Sequence, residues 1–153
     1  MLSVGDKAPE IRSLDQAGNS VVLSELWSKG PLVVYFYPKD FTRVCTQQAC
    51  MFQDMLGELE QLESSVVGVS LDSADSHRKF AERHDISFPL LADVDKQIAA
   101  AFGVLGLFKM IAKRATFVID RTGTVRAAFR HELSAAKHID DVREALRSVD
   151  AAS

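Results

Sequence analysis

Apolar positions along this chain follow two regimes: short unbroken runs, and longer stretches in which they recur every three or four residues. The runs Leu32–Tyr37 and Val66–Leu71 predict strands buried on both faces. From Thr42 to about Gln61, Cys45, Ala49, Phe52, Met55, Leu59 and Leu62 recur near a 3.6-residue period and predict a helix. Ile11–Leu14 and Ser20–Leu23 flank a Gly18-Asn19 turn signal and read as a hairpin. A helix capped by Ser73 or Asp72 runs to about His84, and a short strand follows at Phe88–Leu91. A further helix, capped by Asp93 or Asp95, extends through Phe102. Ala115–Ile119 and Thr124–Phe129 flank a turn at Asp120–Gly123. Ser134 caps a last amphipathic helix through Val149, with 150–153 fraying.

The order is a hairpin, then β-α-β-α-β-α, then β-β-α. Buried strands alternating with helices imply an α/β domain whose sheet is covered on both faces. The late hairpin adds antiparallel strands, so the central sheet is expected to be mixed. With the closing helix this suggests one thioredoxin-like domain over 1–153, with an N-terminal β-hairpin.

Composition narrows the function. A chain of 153 residues can bury roughly 68–70% of its unfolded surface, so it needs no disulfide scaffold. Its formal charge of -3, with scattered basic residues, gives no case for nucleic acid or an anionic membrane. The N-terminus turns polar before a signal-peptide core could form, and no run approaches the ~18 apolar residues of a membrane span. The expected compartment is the cytosol, where two cysteines are more readily redox-active than a permanent staple.

Cys45 falls just after the Leu32–Tyr37 strand, in the first turn of the next helix, and is the candidate nucleophile. Unpaired amides and partial positive charge at a helix start favour thiolate. A free thiol titrates near ~8.5, and moving it to about 6 takes roughly 3.4 kcal/mol at ~1.36 per unit. A helix end supplies up to ~2 kcal/mol, so a cation is needed. Arg114, at the start of the Ala115–Ile119 strand, is the best placed. Thr42, three residues before Cys45, offers an N-cap or a hydroxyl beside the sulfur. Pro38 ends the strand and shields the pocket, or is a plain turn residue. Cys50 lies five residues beyond Cys45. In one ideal helix their Cα atoms stand roughly 8.7 Å apart, beyond the ~7 Å a disulfide allows. Either the two never pair, with Cys50 a small packing residue, or the helix start unwinds when they do.

Other chemistries are weaker. C-x₄-C could give zinc two ligands, but there is no second cysteine pair, and no histidine has metal spacing to the cysteines. His77 and His84 lie in a polar helix and read as solvated, while His131 and His138 read as surface residues. Asp93-Val-Asp95 lacks the rest of a calcium loop. The apolar stretch Gly103–Ile111 reads as core. If exposed, its Leu107, Phe108 and Ile111 would mark a contact surface, through which the chain would be a monomer or weak homodimer.

The segment from Tyr35 to Cys50 resembles the active-site segment of peroxiredoxins, within them the bacterioferritin comigratory protein or Q type. Pro38, Thr42 and Cys45 meet the pattern P-x-x-x-[TS]-x-x-C. Lys113–Asp120 resembles a second family motif and maps its arginine onto Arg114. Arg43-Val44 stand where the family usually has Pro-Gly, which changes the rim of the pocket. The resemblance implies that Cys45 attacks peroxide and becomes a sulfenic acid, with Thr42 and Arg114 holding the oxygens. Cys50 then resolves it to an intramolecular disulfide, which thioredoxin or a similar dithiol reduces. No metal, haem or flavin is implied. The rivals are a thiol–disulfide oxidoreductase, whose usual C-x-x-C is absent, and a redox sensor or chaperone using the same helix transition.

Overall fold

The computed structural model describes residues 1–130 and 135–152. Five strands form the central sheet: β3 (Leu32–Phe36), β4 (Ser65–Ser70), β5 (Leu90–Ala92), β6 (Ala115–Ile119) and β7 (Val125–Phe129). Their order is β5-β4-β3-β6-β7. The β5-β4-β3 half is parallel, whereas β6 runs antiparallel to β3 and to β7. The mixed sheet follows from connectivity: helical crossovers join the parallel strands, and a tight turn joins β6 to β7. A separate antiparallel pair, β1 (Arg12–Leu14) and β2 (Ser20–Val22), forms the N-terminal hairpin. Its turn is organised by Asp15, whose carboxylate accepts from the amides of Ala17 and Asn19.

Strand alternation divides the core in two. Val33, Tyr35 and Tyr37 face one layer, with Phe52 of α2 (Arg43–Asp54), Leu59 of α3 (Leu56–Gln61), Phe80 of α4 (Ala74–His84) and Leu146 of α6 (Ala135–Ala152). Leu32, Val34 and Phe36 face the other, with Leu23 of α1 (Leu23–Lys29) and Ile98 and Phe102 of α5 (Gln97–Phe102). Both clusters are closely buried, as expected for a strand with no polar face.

The structure corrects several sequence expectations. Leu23 opens helix α1 rather than ending a strand; its N-cap position is Val22, which supplies no side-chain cap. The Thr42–Gln61 helix is interrupted at Met55 and becomes α2 and α3. The short strand is shifted to Leu90–Ala92, and α6 continues past Val149 to Ala152. Ser73 does cap α4, accepting from the amide of Ser76. Asp93 accepts from the amides of Ile98 and Ala99, so it, rather than Asp95, holds the start of α5. The expectations for His131 and Ser134 fall on residues outside those described, as does that for the His138 side chain. The Gly103–Ile111 segment is split: Val104 is buried, but Phe108 and Met110 are 84% and 73% exposed. Phe108 and Lys109 both adopt positive φ in the short turn at Leu107–Lys109.

Candidate active site

Cys45 is the third residue of α2. Its position at the helix start follows from the strand end: β3 closes at Phe36, the loop 37–42 turns back, and α2 begins at Arg43. First-turn amides have no acceptor within their own helix, and no acidic residue stands in this turn to offset the positive end of the helix. The thiol itself is 1% exposed and packs in the core layer beside Tyr35 and Ala49.

Antiparallel pairing of β3 and β6 sets Ala115 opposite Phe36. Arg114 therefore stands level with Tyr37, at the strand end from which α2 departs. Its guanidinium is buried, and Nη2 donates to Cys45 Sγ at 3.1 Å. Nη1 donates to Gln48 Oε1 at 2.7 Å. Such charge-assisted contacts are worth about 1.5–3 kcal/mol.

Gln48 did not stand out in the sequence, yet it is fully buried against Arg114. Its spacing carried the signal: three residues after Cys45 on a helix is the same face. Gln48 Nε2, Arg114 Nε, Thr116 Oγ1 and Tyr35 OH are buried without a protein partner. Thr116 and Tyr35 are cross-strand partners on the sheet face carrying Arg114. Burial, and then the charge of Cys45, push the Tyr35 phenol well above its ordinary range.

Thr42 occupies the N-cap position, but its hydroxyl makes no capping bond. It donates instead to Lys39 O at 2.8 Å, tightening the loop before the helix. Thr42 and Arg43 are exposed, and Pro38 is half-buried. Phe41, 49% exposed, stands at the rim with the half-buried Val44. Cys50 is half-buried on the same helix, and both cysteines are free thiols. Burial, and then Asp54, raise the Cys50 thiol above its ordinary range.

His77 is not solvated. It is fully buried, with Nδ1 2.7 Å from Asp40 Oδ2 and Nε2 3.0 Å from the carbonyl of Leu91. His84 is half-buried beside Phe80 and Phe41. Asp40, Asp72 and His77 bring potential metal-ligating atoms within 4.8 Å of one another. These groups bond one another and their neighbours: Asp40 accepts from Tyr37 and Ser76, and Asp72 Oδ2 from Ser70 and the Asp40 amide. This is a closed hydrogen-bond cluster, and neither cysteine belongs to it.

The chain and the fold that carry this thiol and arginine are matched by known proteins. The AhpC/TSA family model matches residues 4–128. The chain belongs to the AhpC/TSA family. Chloroplastic peroxiredoxin Q of Sedum lineare is 38% identical over 146 residues, covering 95% of this chain and 78% of that one. The crystal structure of peroxidoxin BcpB from Mycobacterium tuberculosis superposes with a TM-score of 0.90 at 38% identity, covering 97% of this chain and 99% of that chain. A structure of the Xanthomonas campestris bacterioferritin comigratory protein, described for its alkyl peroxide reduction activity, gives 0.84 at 28% identity, covering 95% and 99%. These relationships bear out the resemblance to the bacterioferritin comigratory protein and Q type, and the thioredoxin-like fold. The protein is a thiol-dependent peroxidase of the peroxiredoxin class. Among its described residues no helix is long and apolar enough to cross a membrane.

Proposed function

We propose that Cys45 is the peroxidatic nucleophile and Cys50 its resolving partner, in a cycle that reduces hydrogen peroxide and organic hydroperoxides. The observation that carries this reading is the Arg114 guanidinium at 3.1 Å from Cys45 Sγ. The Cys45 thiolate attacks one peroxide oxygen, the O–O bond breaks, and the second oxygen leaves as water or an alcohol after taking a proton. Cys45 is left as a sulfenic acid. Arg114 and the first-turn amides face the charge that develops on the oxygens. The Thr42 hydroxyl, whose proton goes to Lys39 O, accepts from the peroxide O–H, Gln48 Nε2 adds an unpartnered donor, and Pro38 shields the loop side. The apolar rim at Phe41 and Val44 suits organic peroxides as well, in keeping with the alkyl peroxide activity of the Xanthomonas relative.

Cys50 then attacks the Cys45 sulfur. The S–S bond forms, the S–O bond breaks, and the hydroxyl leaves as water. Both thiols lie in one continuous helix, so this step requires the start of α2 to unwind. Thioredoxin or a similar dithiol returns the two electrons. The cycle is placed in the cytosol, where thiols stay reduced. Exposed Phe108, Met110 and Ile111 support a weak self-association; sedimentation of a monomer alone at micromolar protein would remove that mode.

The test is the intact mass of fully reduced protein after one equivalent of hydrogen peroxide. Loss of two hydrogens, with a Cys45–Cys50 linked peptide, is expected. A stable gain of oxygen on Cys45 would return Cys50 to a packing role. An unchanged mass would remove Cys45 from peroxide chemistry.

A further inference from the structure

The loop that leads into α2 is tied down by a buried polar cluster drawn from four places in the chain. Asp40 is its centre, with a side chain 1% exposed. Its Oδ1 accepts from the Tyr37 hydroxyl at 2.6 Å, and its Oδ2 accepts from Ser76 at 2.8 Å. Burial, then Tyr35 and Asp40, raise the Tyr37 phenol well above its ordinary range, so it is a donor here. The Leu91 carbonyl can only accept, so His77 Nε2 carries a proton. A second proton lies between His77 Nδ1 and Asp40 Oδ2, 2.7 Å apart. The Asp40 amide donates to Asp72 Oδ2 at 2.9 Å, and Ser70 holds that same oxygen. The loop is thereby fastened to the ends of β3 and β4, to the first turn of α4, and to β5.

One residue later the character changes. Phe41 has φ of 66°, a left-handed conformation that bulky residues rarely adopt. It is 49% exposed, and its ring meets Phe80 edge-on and lies tilted against His84. The fastened segment thus meets the helix through a strained, lightly held residue. Strain at such a point is retained only where the surroundings impose it, and the Asp40 cluster on one side and wound α2 on the other do so.

We propose that the Asp40–His77 cluster is the fixed anchor of the active-site loop. It positions Thr42 and Cys45 for attack while the helix is wound, and it stays closed, with Phe41 as the hinge, when the start of α2 unwinds. Asp40 and His77 are positioning residues, acting on the thiol through the loop. The hinge half of this proposal rests on the reading of Cys50 as resolver.

Two measurements test it. Hydrogen exchange compares the reduced protein with its Cys45–Cys50 disulfide form. Amides of 46–50 lose protection on oxidation, whereas those of Tyr37 and Asp40 keep it. Loss of protection at Asp40 in step with α2 would overturn the anchor. The second measurement is single-turnover sulfenic acid formation in a Cys50→Ser background, read by quenched mass spectrometry. Asp40→Ala slows attack by about tenfold or more, and Asp40→Asn recovers it to within about threefold. Asn can still accept from Tyr37 and donate to His77 Nδ1. Parental attack in Asp40→Ala, or Asp40→Asn as slow as Asp40→Ala, would overturn the positioning role. Should Asp40→Ala fail to fold, Ser76→Ala removes one bond to the same carboxylate and slows attack by about threefold; an unchanged rate there would overturn it equally. If no Cys45–Cys50 disulfide forms at all, the resolver reading and the hinge fall together, while the Cys50→Ser arm still decides positioning.

Discussion

Gln48 is neutral where it meets Arg114, and that neutrality matters. A carboxylate there would pair with the guanidinium and set a negative charge beside the sulfur, disfavouring the thiolate. Gln48→Glu is expected to lower thiolate reactivity at neutral pH by about tenfold, equivalent to about 1.4 kcal/mol; alkylation of Cys45 by iodoacetamide in Cys50→Ser protein reads it. Arg114→Ala removes the cation itself and is expected to slow peroxide attack by about 10–100-fold, checked by the second-order rate with hydrogen peroxide. Cys50 faces the opposite situation. Burial and Asp54 hold its thiol above the ordinary range, so its reactivity at neutral pH is low and climbs as pH rises. Asp54→Asn shifts that rise to lower pH, which alkylation of Cys45→Ser protein across pH will show; an unmoved profile would remove Asp54 as a cause. At this scale the contact between Cys45 and Arg114 was legible because each sits at a strand end with few alternative partners. Gln48 and His77 were not, since a polar residue on a helix reads as solvated unless its face is followed. Yet His77, Phe80 and Ala81 are all buried in α4 at spacings of three and four, which is one helical face.

Elements were legible where hydrophobic period and capping agreed. β6 falls on Ala115–Ile119, the strand expected before the Asp120–Gly123 turn, and Ser73 caps α4. α1 escaped because Val21, Val22 and Leu23 continue a strand-like run into a seven-residue helix without a side-chain cap. The break at Met55 escaped for a different reason. Phe52, Met55 and Leu59 are buried on the same core layer across it, so the apolar period passes through undisturbed. At the start of α5 the two aspartates in Asp93-Val-Asp95 were equivalent in sequence, but burial separates them. Asp93 is 1% exposed and receives two amides, at 2.9 and 2.7 Å, whereas Asp95 receives one at 3.4 Å. Asp93→Ala leaves those amides buried without an acceptor and is expected to cost about 1–3 kcal/mol. Asp95→Ala should stay within about 0.5 kcal/mol. Denaturant unfolding of both variants checks the contrast.

The whole molecule places the Cys45 thiol against a sheet whose packing leaves little room to adjust. Gly68 in β4 shows how tightly. A methyl group added there would stand 2.8 Å from Leu90 Cδ2 and 2.9 Å from the Tyr35 ring and hydroxyl. Tyr35 cannot easily yield, because it stacks on Phe52 at 4.6 Å and on Tyr37 at 5.5 Å and meets Phe88 edge-on. The fold class and the mixed sheet could be read from the alternation of runs and periods, but this close approach could not. It depends on which strand lies beside β3 and in what register, and Gly68 pairs directly with Tyr35. Gly68→Ala is expected to destabilise the protein by about 1–3 kcal/mol through overpacking. For a chain of this size that lowers Tm by about 2–4 °C per kcal/mol. The same substitution presses Tyr35 toward the layer that holds Cys45, so peroxide attack should slow along with the loss of stability. Thermal unfolding and single-turnover attack on one preparation separate the two effects. A lowered Tm with an unchanged rate would mean that the sheet absorbs the strain before it reaches the thiol.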